Sequence, residues 1–390
     1  MERYVNFTWY ENLTQYERVS LGRAFNLADG HARQYQDDAQ GEICRRLPEI
    51  YHASERVAQL DAERHFQSTF YALAGQESAI AHPHTLLCTS ASLATDLIAT
   101  FLSREGLTIS LIQPCFDNLA TILFRRRVPT VPLAEADITF PRLAATFDGL
   151  MADAVFLALP NNPTGFVLER AGFASLAELC AESNKILILD WTFRFFSDLN
   201  KWDQYEILER SGASYICVED TGKTWPTLDL KCSILAASAD LYRKLLEVHN
   251  DVLLNVSPFV LLLLNEYLLD TKRRGLDLSV RRVVSLNRKV LRDALRRSVL
   301  TPVSGKAALS VEWVRIDSID LDALEVVAML AEVDVGILPG HHFFWDTPRR
   351  GSRFVRFALA RDPATFALVC TRIESVIAGR PRLRTRPLVA

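Results

Sequence analysis

Seven short apolar runs, at residues 86–88, 108–112, 130–133, 154–159, 186–189, 215–218 and 233–237, limit what this chain can fold into more than any other feature. Stretches of helical periodicity, such as 93–102 and 170–183, lie between them. Several runs are continuously apolar rather than alternating, as strands covered on both faces should be. This alternation predicts an α/β fold with a mostly parallel, doubly wound, seven-stranded sheet in a large domain.

The 390 residues leave room for more than that sheet, since a domain takes about 150 residues. From about Asp270 the pattern changes to a charged helical region at 276–297, then a strand at 309–316, a helix at 321–332, strands at 335–338 and 354–359 around a loop at 339–352, and a helix at 364–378. That mixture predicts a smaller α+β domain. The first 45 residues hold no core of their own and are expected to form an arm over the site and part of the small domain. The expected organisation is an arm at 1–45, a large domain at 46–270, a small domain at 271–380 and a flexible tail at 381–390. The tail continues a stretch of alternating arginines and prolines that should fray.

Lysine plus arginine number 44 and aspartate plus glutamate 47, so no overall field attracts nucleic acid or an anionic membrane. The seven cysteines are scattered without a C-x-x-C, which argues against a disulfide framework or a zinc site. His341 and His342 read as loop residues, with no third ligand at metal spacing. The N-terminus lacks a signal-peptide pattern, and the apolar stretch 253–269 is broken by Asn255, Ser257, Pro258, Asn265 and Glu266. It reads as a buried helix rather than a membrane span. A cytoplasmic location is expected.

In an open parallel sheet, ligands gather beyond the carboxyl ends of the strands. After the first run comes Thr89-Ser90-Ala91-Ser92, opening a helix whose free N–H groups suit a phosphate. Later ends carry Phe116, the stretch Pro160-Asn161-Asn162-Pro163-Thr164-Gly165, Asp190, and Glu219-Asp220-Thr221-Gly222-Lys223. Singly each is a weak signal. Together they place an anion cradle, an aromatic plate, an amide, a carboxylate and an amine on one rim, a set that suits a phosphorylated pyridine aldehyde.

That order resembles the class I/II aminotransferase family, fold-type I enzymes that use pyridoxal 5′-phosphate (PLP). The resemblance spans roughly residues 80–360, including Pro339-Gly340 and the strand around Arg356. It implies that Lys223 forms the Schiff base with PLP and moves the substrate α-proton, and that Asp190 pairs with the pyridine nitrogen. Asn162 is implied at the ring oxygen and Phe116 stacked on the ring. Ser90, Ala91, Ser92, Thr221 and Lys231 are implied around the phosphate, and Arg356 at the substrate carboxylate. A homodimer is also implied. Two departures stand out. Phe193 replaces a tyrosine that usually donates to the ring oxygen, leaving Thr192 as the alternative hydroxyl, and Lys231 replaces the usual phosphate arginine.

A narrower likeness lies in Glu11-Asn12-Leu13-Thr14-Gln15-Tyr16-Glu17, in Asn26-Leu27-Ala28-Asp29-Gly30-His31-Ala32-Arg33-Gln34, and in the lysine segment 219–231. These resemble the PLP-dependent L-arginine oxidases and hydroxylases. The likeness implies oxidation of L-arginine or a close cationic amino acid by O2, through quinonoid species, to 2-ketoarginine or its 4-hydroxy derivative. Thr14, Glu17 and Asp220 are then implied at the guanidinium and His31 as an acid–base or water-positioning group. Thr14 and Glu17 also have the spacing of a helix capping box, so this reading competes with a structural one. Conventional transamination, or PLP-dependent cyclisation of a hydroxylated arginine, remain alternatives.

Overall fold

The computed structural model describes residues 11–378, so the expected flexible tail lies outside the described residues. All seven predicted runs are strands of one sheet: β1 (Thr85–Cys88), β2 (Ile109–Gln113), β3 (Thr130–Ala134), β4 (Ala154–Ala158), β5 (Ile186–Asp190), β6 (Tyr215–Asp220) and β7 (Ser233–Ala237). Their spatial order is β1-β7-β6-β5-β4-β2-β3. The pairs β6/β5, β5/β4, β4/β2 and β2/β3 are parallel, and only β7 runs antiparallel to its neighbours. Every residue of β2, β4, β6 and β7 is buried, which is why these runs carry no alternation. The exposed edge is β3, where Pro132 is tolerated because that side needs no ladder donor.

The late segment forms a four-stranded antiparallel sheet in the order Leu338–Pro339, Phe354–Ala358, Val311–Ile316, Leu300–Pro302. Arg356 sits on an inner strand, opposite Trp313 and Leu338. The expected single strand at 335–338 is two. Leu338–Pro339 joins this sheet, whereas Val335–Gly336 turns away to pair in parallel with Phe25–Asn26 of the arm. Gly336 permits this because a Cβ there would lie 2.4 Å from the Ser20 hydroxyl of the arm helix α1 (Leu13–Ser20). The charged region expected as one helix opens with a π turn at Asp277–Arg281 before the helix Arg282–Leu295. No helix among the described residues is long and apolar enough to cross a membrane.

Behind the carboxyl ends of β5 and β6 lies a fully buried ion pair. Arg194 Nε and Nη2 donate to the two oxygens of Glu219 at 2.8 and 2.6 Å. Arg194 also donates to Gln204 at 2.7 Å and lies 4.1 Å over the Trp191 ring, and Tyr205 donates to Glu219. Removing one partner leaves an uncompensated buried charge. Arg194→Met should therefore cost about 3–5 kcal/mol in denaturant unfolding, and the double variant Arg194→Met/Glu219→Leu should recover most of the loss. Equal destabilisation by the single and double variants would contradict this account.

Candidate active site

A cavity of about 250 Å³ opens beyond the carboxyl ends of the strands. It is lined by Ser90, Ala91 and Ser92 after β1, Phe116 after β2, Asn162 after β4, Asp190, Thr192 and Phe193 around the end of β5, and Asp220, Lys223 and Lys231 between β6 and β7. Arg356 enters from the small sheet, and Thr14, Glu17, Gly30 and His31 from the arm. Sequence segments more than three hundred residues apart thus meet here. Thr221 is the exception. It is fully buried outside the lining, and its hydroxyl and Cys232 exchange hydrogen bonds of 3.0 and 2.9 Å that join the ends of β6 and β7.

One end of the cavity suits an anion. Ser90 caps the helix α2 (Ala91–Arg104), accepting from Leu93 N–H at 3.1 Å. The remaining first-turn N–H groups and the positive end of the helix face the same space. Lys231 reaches this space across Gly222, where a Cβ would come within 2.8 Å of the lysine side chain. Only a glycine leaves the lysine that path.

At the inner end, Asp190 accepts from both the N–H and the hydroxyl of Thr192, at 2.8 and 2.5 Å. The Thr192 hydroxyl therefore faces Asp190 rather than standing free as a replacement donor for Phe193. Burial pushes the Asp190 carboxyl above its ordinary range despite these bonds. Lys223 Nζ lies between the two ends, 3.3 Å from His31. Burial pushes its ammonium below the usual value, against the attraction of Glu17, Asp29 and Asp220.

Asp29 was not among the sequence candidates, yet it orients His31. Its Oδ1 accepts from the His31 backbone N–H at 3.0 Å and pairs with Nδ1, assigning the ring proton to Nδ1. Nε2 then faces Lys231 at 3.3 Å. Burial and the Lys223 charge keep the imidazole below its ordinary pKa, although Asp29 pulls the other way. An aspartate two residues before the histidine was the available signal. Its importance depends on a turn that sequence spacing alone does not specify.

Arg356 is 1% exposed, and its guanidinium donates to Asn162 Oδ1 at 3.2 Å, Glu17 at 3.4 Å and the Ala28 carbonyl at 2.5 Å. Its Nε has no partner. The guanidinium thus keeps one donor open and holds Glu17 only loosely, a geometry that could take up another carboxylate. Asn162 keeps its amide N–H groups for a different acceptor. Thr14 is not the cap of α1; Asn12 caps that helix by accepting from Gln15 N–H at 2.9 Å. Thr14 and Glu17 are thus released from the capping-box arrangement and line the cavity. No cluster of three metal-ligating side chains occurs among the described residues.

The profile of the aminotransferase class I and II family matches residues 46–373. The chain belongs to that family. Its cofactor is PLP, and the residues fit the group: an anion cradle, a buried acid and an amine are spaced along one cavity. Among solved structures, MppP soaked with the product 2-ketoarginine is 32% identical with a TM-score of 0.85, covering 90% of this chain and 99% of that one. LysN, the α-aminoadipate aminotransferase of Thermus thermophilus, is 18% identical with a TM-score of 0.76 over 93% and 94% of the two chains, which supports the fold alone. LL-diaminopimelate aminotransferase from Nitratidesulfovibrio vulgaris is 25% identical over 72% of this chain and 76% of its own.

Two predictions follow from the geometry. Borohydride reduction of the PLP-loaded protein should fix the cofactor mass on the peptide carrying Lys223, and Lys223→Ala should abolish both the adduct and turnover. The second concerns Asp117, which anchors the arm by accepting from Leu13 N–H at 2.8 Å. Burial and the nearby Glu17 raise its carboxyl to about 7. An acid raised on folding adds stability below its unfolded pKa of about 3.9 and loses it as pH climbs through the folded value. Asp117→Asn keeps an acceptor but cannot ionise. Its stability relative to the parent should rise by about 3 kcal/mol between pH 5 and 8.5 in denaturant unfolding.

Proposed function

We propose that this enzyme oxidises L-arginine, or a close cationic amino acid, with O2 in place of a keto-acid acceptor, giving 2-ketoarginine, its 4-hydroxy derivative, or both. The observation that carries this reading is the arm. It places Glu17 and His31 in the lining of the cavity that holds Lys223, with Asp220 on the adjoining strand end. Two carboxylates suit a guanidinium that cannot discharge. The likeness to MppP over nearly its whole length supports the same reading.

When bound, PLP would supply an electron sink for the pair left at the substrate α-carbon, from which O2 would be reduced. Lys223 Nζ holds the cofactor and takes the α-proton. Asp190 would pair with the pyridine nitrogen; burial raises its carboxyl, and a cation beside it would pull the other way. Arg356 exchanges its contact with Glu17 for the substrate carboxylate. Glu17 is thereby freed towards the guanidinium, beside Asp220. His31 Nε2 accepts a proton from, or positions, the water that attacks the oxidised substrate. Phe193 leaves one side of the ring without a donor.

The overall balance for oxidation alone is arginine, O2 and water giving 2-ketoarginine, ammonia and hydrogen peroxide. A 4-hydroxyl drawn from water requires a second O2 and yields a second peroxide. We propose also that the enzyme acts as a homodimer in the cytoplasm. The 25% likeness to LL-diaminopimelate aminotransferase favours a second reading, conventional transamination.

An oxygen electrode separates the two. Arginine alone should drive O2 uptake, with 2-ketoarginine or a product 16 Da heavier by mass spectrometry, a difference of one oxygen atom as roughly expected for hydroxylation. Silence under air, followed by amino transfer when pyruvate is added, would select the aminotransferase. Glu17→Gln should raise KM for arginine by about tenfold or more, the loss of about 1.4 kcal/mol or more from a charged contact, with a smaller change in kcat.

A further inference from the structure

The two carboxylates that flank His31 share a third partner. Arg33 Nε and Nη2 donate to Asp29 Oδ2 at 3.1 and 3.0 Å, and Nη2 also donates to Asp229 Oδ2 at 2.9 Å. The other oxygen of each acid faces the imidazole. Asp29 Oδ1 meets Nδ1, and Asp229 Oδ1 lies 3.6 Å from Nε2. One guanidinium therefore spans the outer oxygens of two acids whose inner oxygens bracket the histidine. Arg33 does not line the cavity.

The turn that delivers Asp229 is strained. Leu228 and Asp229 have φ of +52° and +67°, two successive non-glycine residues in the left-handed region. Such residues cost roughly 1–2 kcal/mol each and persist only where the surroundings hold them. Core burial is not what holds this turn, since Leu228 is 79% exposed. What does hold it is polar. Thr227 donates to the Leu230 carbonyl at 2.6 Å, Gln36 of the arm donates to the Pro226 carbonyl, and Arg33 grips Asp229. The turn joins Lys223 to Lys231, so its shape and the position of both amines are linked.

We propose that Arg33 and Asp229 are positioning residues, a clasp that locks the arm onto the lysine loop and in which Arg33, gripping the outer oxygens of Asp29 and Asp229, limits the negative charge that their inner oxygens turn towards His31. The inference deepens the oxidase reading and rests on it for His31's role in turnover, but not for the clasp itself. The charged groups facing His31 are Asp29 and Arg33 from its own segment, and Lys223, Lys231 and Asp229 from the lysine loop. Arg361 donates to its carbonyl at 2.9 Å from the end of the small sheet, with Arg356, Glu17 and Asp220 beyond. Burial and Lys223 depress the imidazole pKa, and Asp29 raises it. Without Arg33 both acids gain effective charge towards the ring, and the protonated imidazole is favoured.

The test follows His31 itself in the PLP-loaded protein, by NMR of labelled histidine, with the resonance identified by its loss in His31→Gln. Arg33→Gln should shift the His31 titration upward by about one unit, a tenfold change in the protonation equilibrium. The acid limb of kcat should move with it, while KM for arginine changes little. Arg33→Lys should restore most of the native titration. A folded Arg33→Gln protein whose His31 titrates as in the parent overturns the proposal, as does a fall in thermal stability that leaves the titration in place. Should Arg33→Gln not fold, Asp229→Asn serves, because asparagine tolerates the left-handed turn. It should lower the His31 titration, and an unchanged value overturns the clasp. A shifted titration in a protein that takes up no O2 with arginine supports the clasp and removes the oxidase reading.

Discussion

Arg194 and Glu219 meet through two parallel N–H···O bonds with neither side chain exposed. A pair of this kind adds little net stability, but half of it is far worse than none. Its role is geometric. Glu219 is the penultimate residue of β6, next to Asp220, and Arg194 follows β5 four residues after Asp190. The bidentate grip fixes those two strand ends to each other, with Trp191, Gln204 and Tyr205 completing the shell. The acid at one end of the cavity and the loop that presents Lys223 are therefore held in register by an interaction that never touches substrate.

The charges of the site are divided between parts of the chain that fold separately in sequence terms. The lysine loop and the small sheet bring Lys223, Lys231 and Arg356, while the arm brings Glu17 and Asp29. Without the arm, Lys223, Lys231 and Arg356 would have only Asp190 and Asp220 of the large domain as acids in the lining. The arm's carboxylates offset the repulsion among these cations, and Glu17 occupies Arg356 in the manner of a substrate carboxylate. In the proposed reading the same acids would select the substrate, which would supply a carboxylate for Arg356 and a cation for Glu17.

Much of the fold was legible because burial on both faces leaves a mark that needs no partner information. Each of the seven apolar runs became a strand, with ends moved by one or two residues. The rim residues were legible by order, since a parallel sheet brings the ends of consecutive strands together. What failed depended on tertiary choices. The split at Ile337 arises because an arm strand competes for the backbone of Val335–Gly336, and that competitor lies more than three hundred residues away. Thr221 carries the right hydroxyl at the right spacing, but the closing ladder of β6 and β7 takes it. Asp29, Arg33 and Asp229 were silent as candidates because each is an ordinary charged residue until the arm is laid over the loop.

The arm walls one side of the cavity through Thr14, Glu17, Gly30 and His31, and its own hold on the molecule is distributed. A two-residue strand is too short to hold a segment in place by its own ladder. Here its hold is shared among dispersed contacts: the Asp117 carboxylate at the start of α1, Arg361 on the carbonyls of Asn26, Asp29 and His31, and Arg33 across to Asp229. These anchors lie on the large sheet's rim, the small sheet and the lysine loop in turn. The arm that carries His31 is consequently tied to three separate parts of the chain around the cavity. The position of the imidazole therefore depends on the spacing of the rim, the small sheet and the lysine loop together, and not on any one of them.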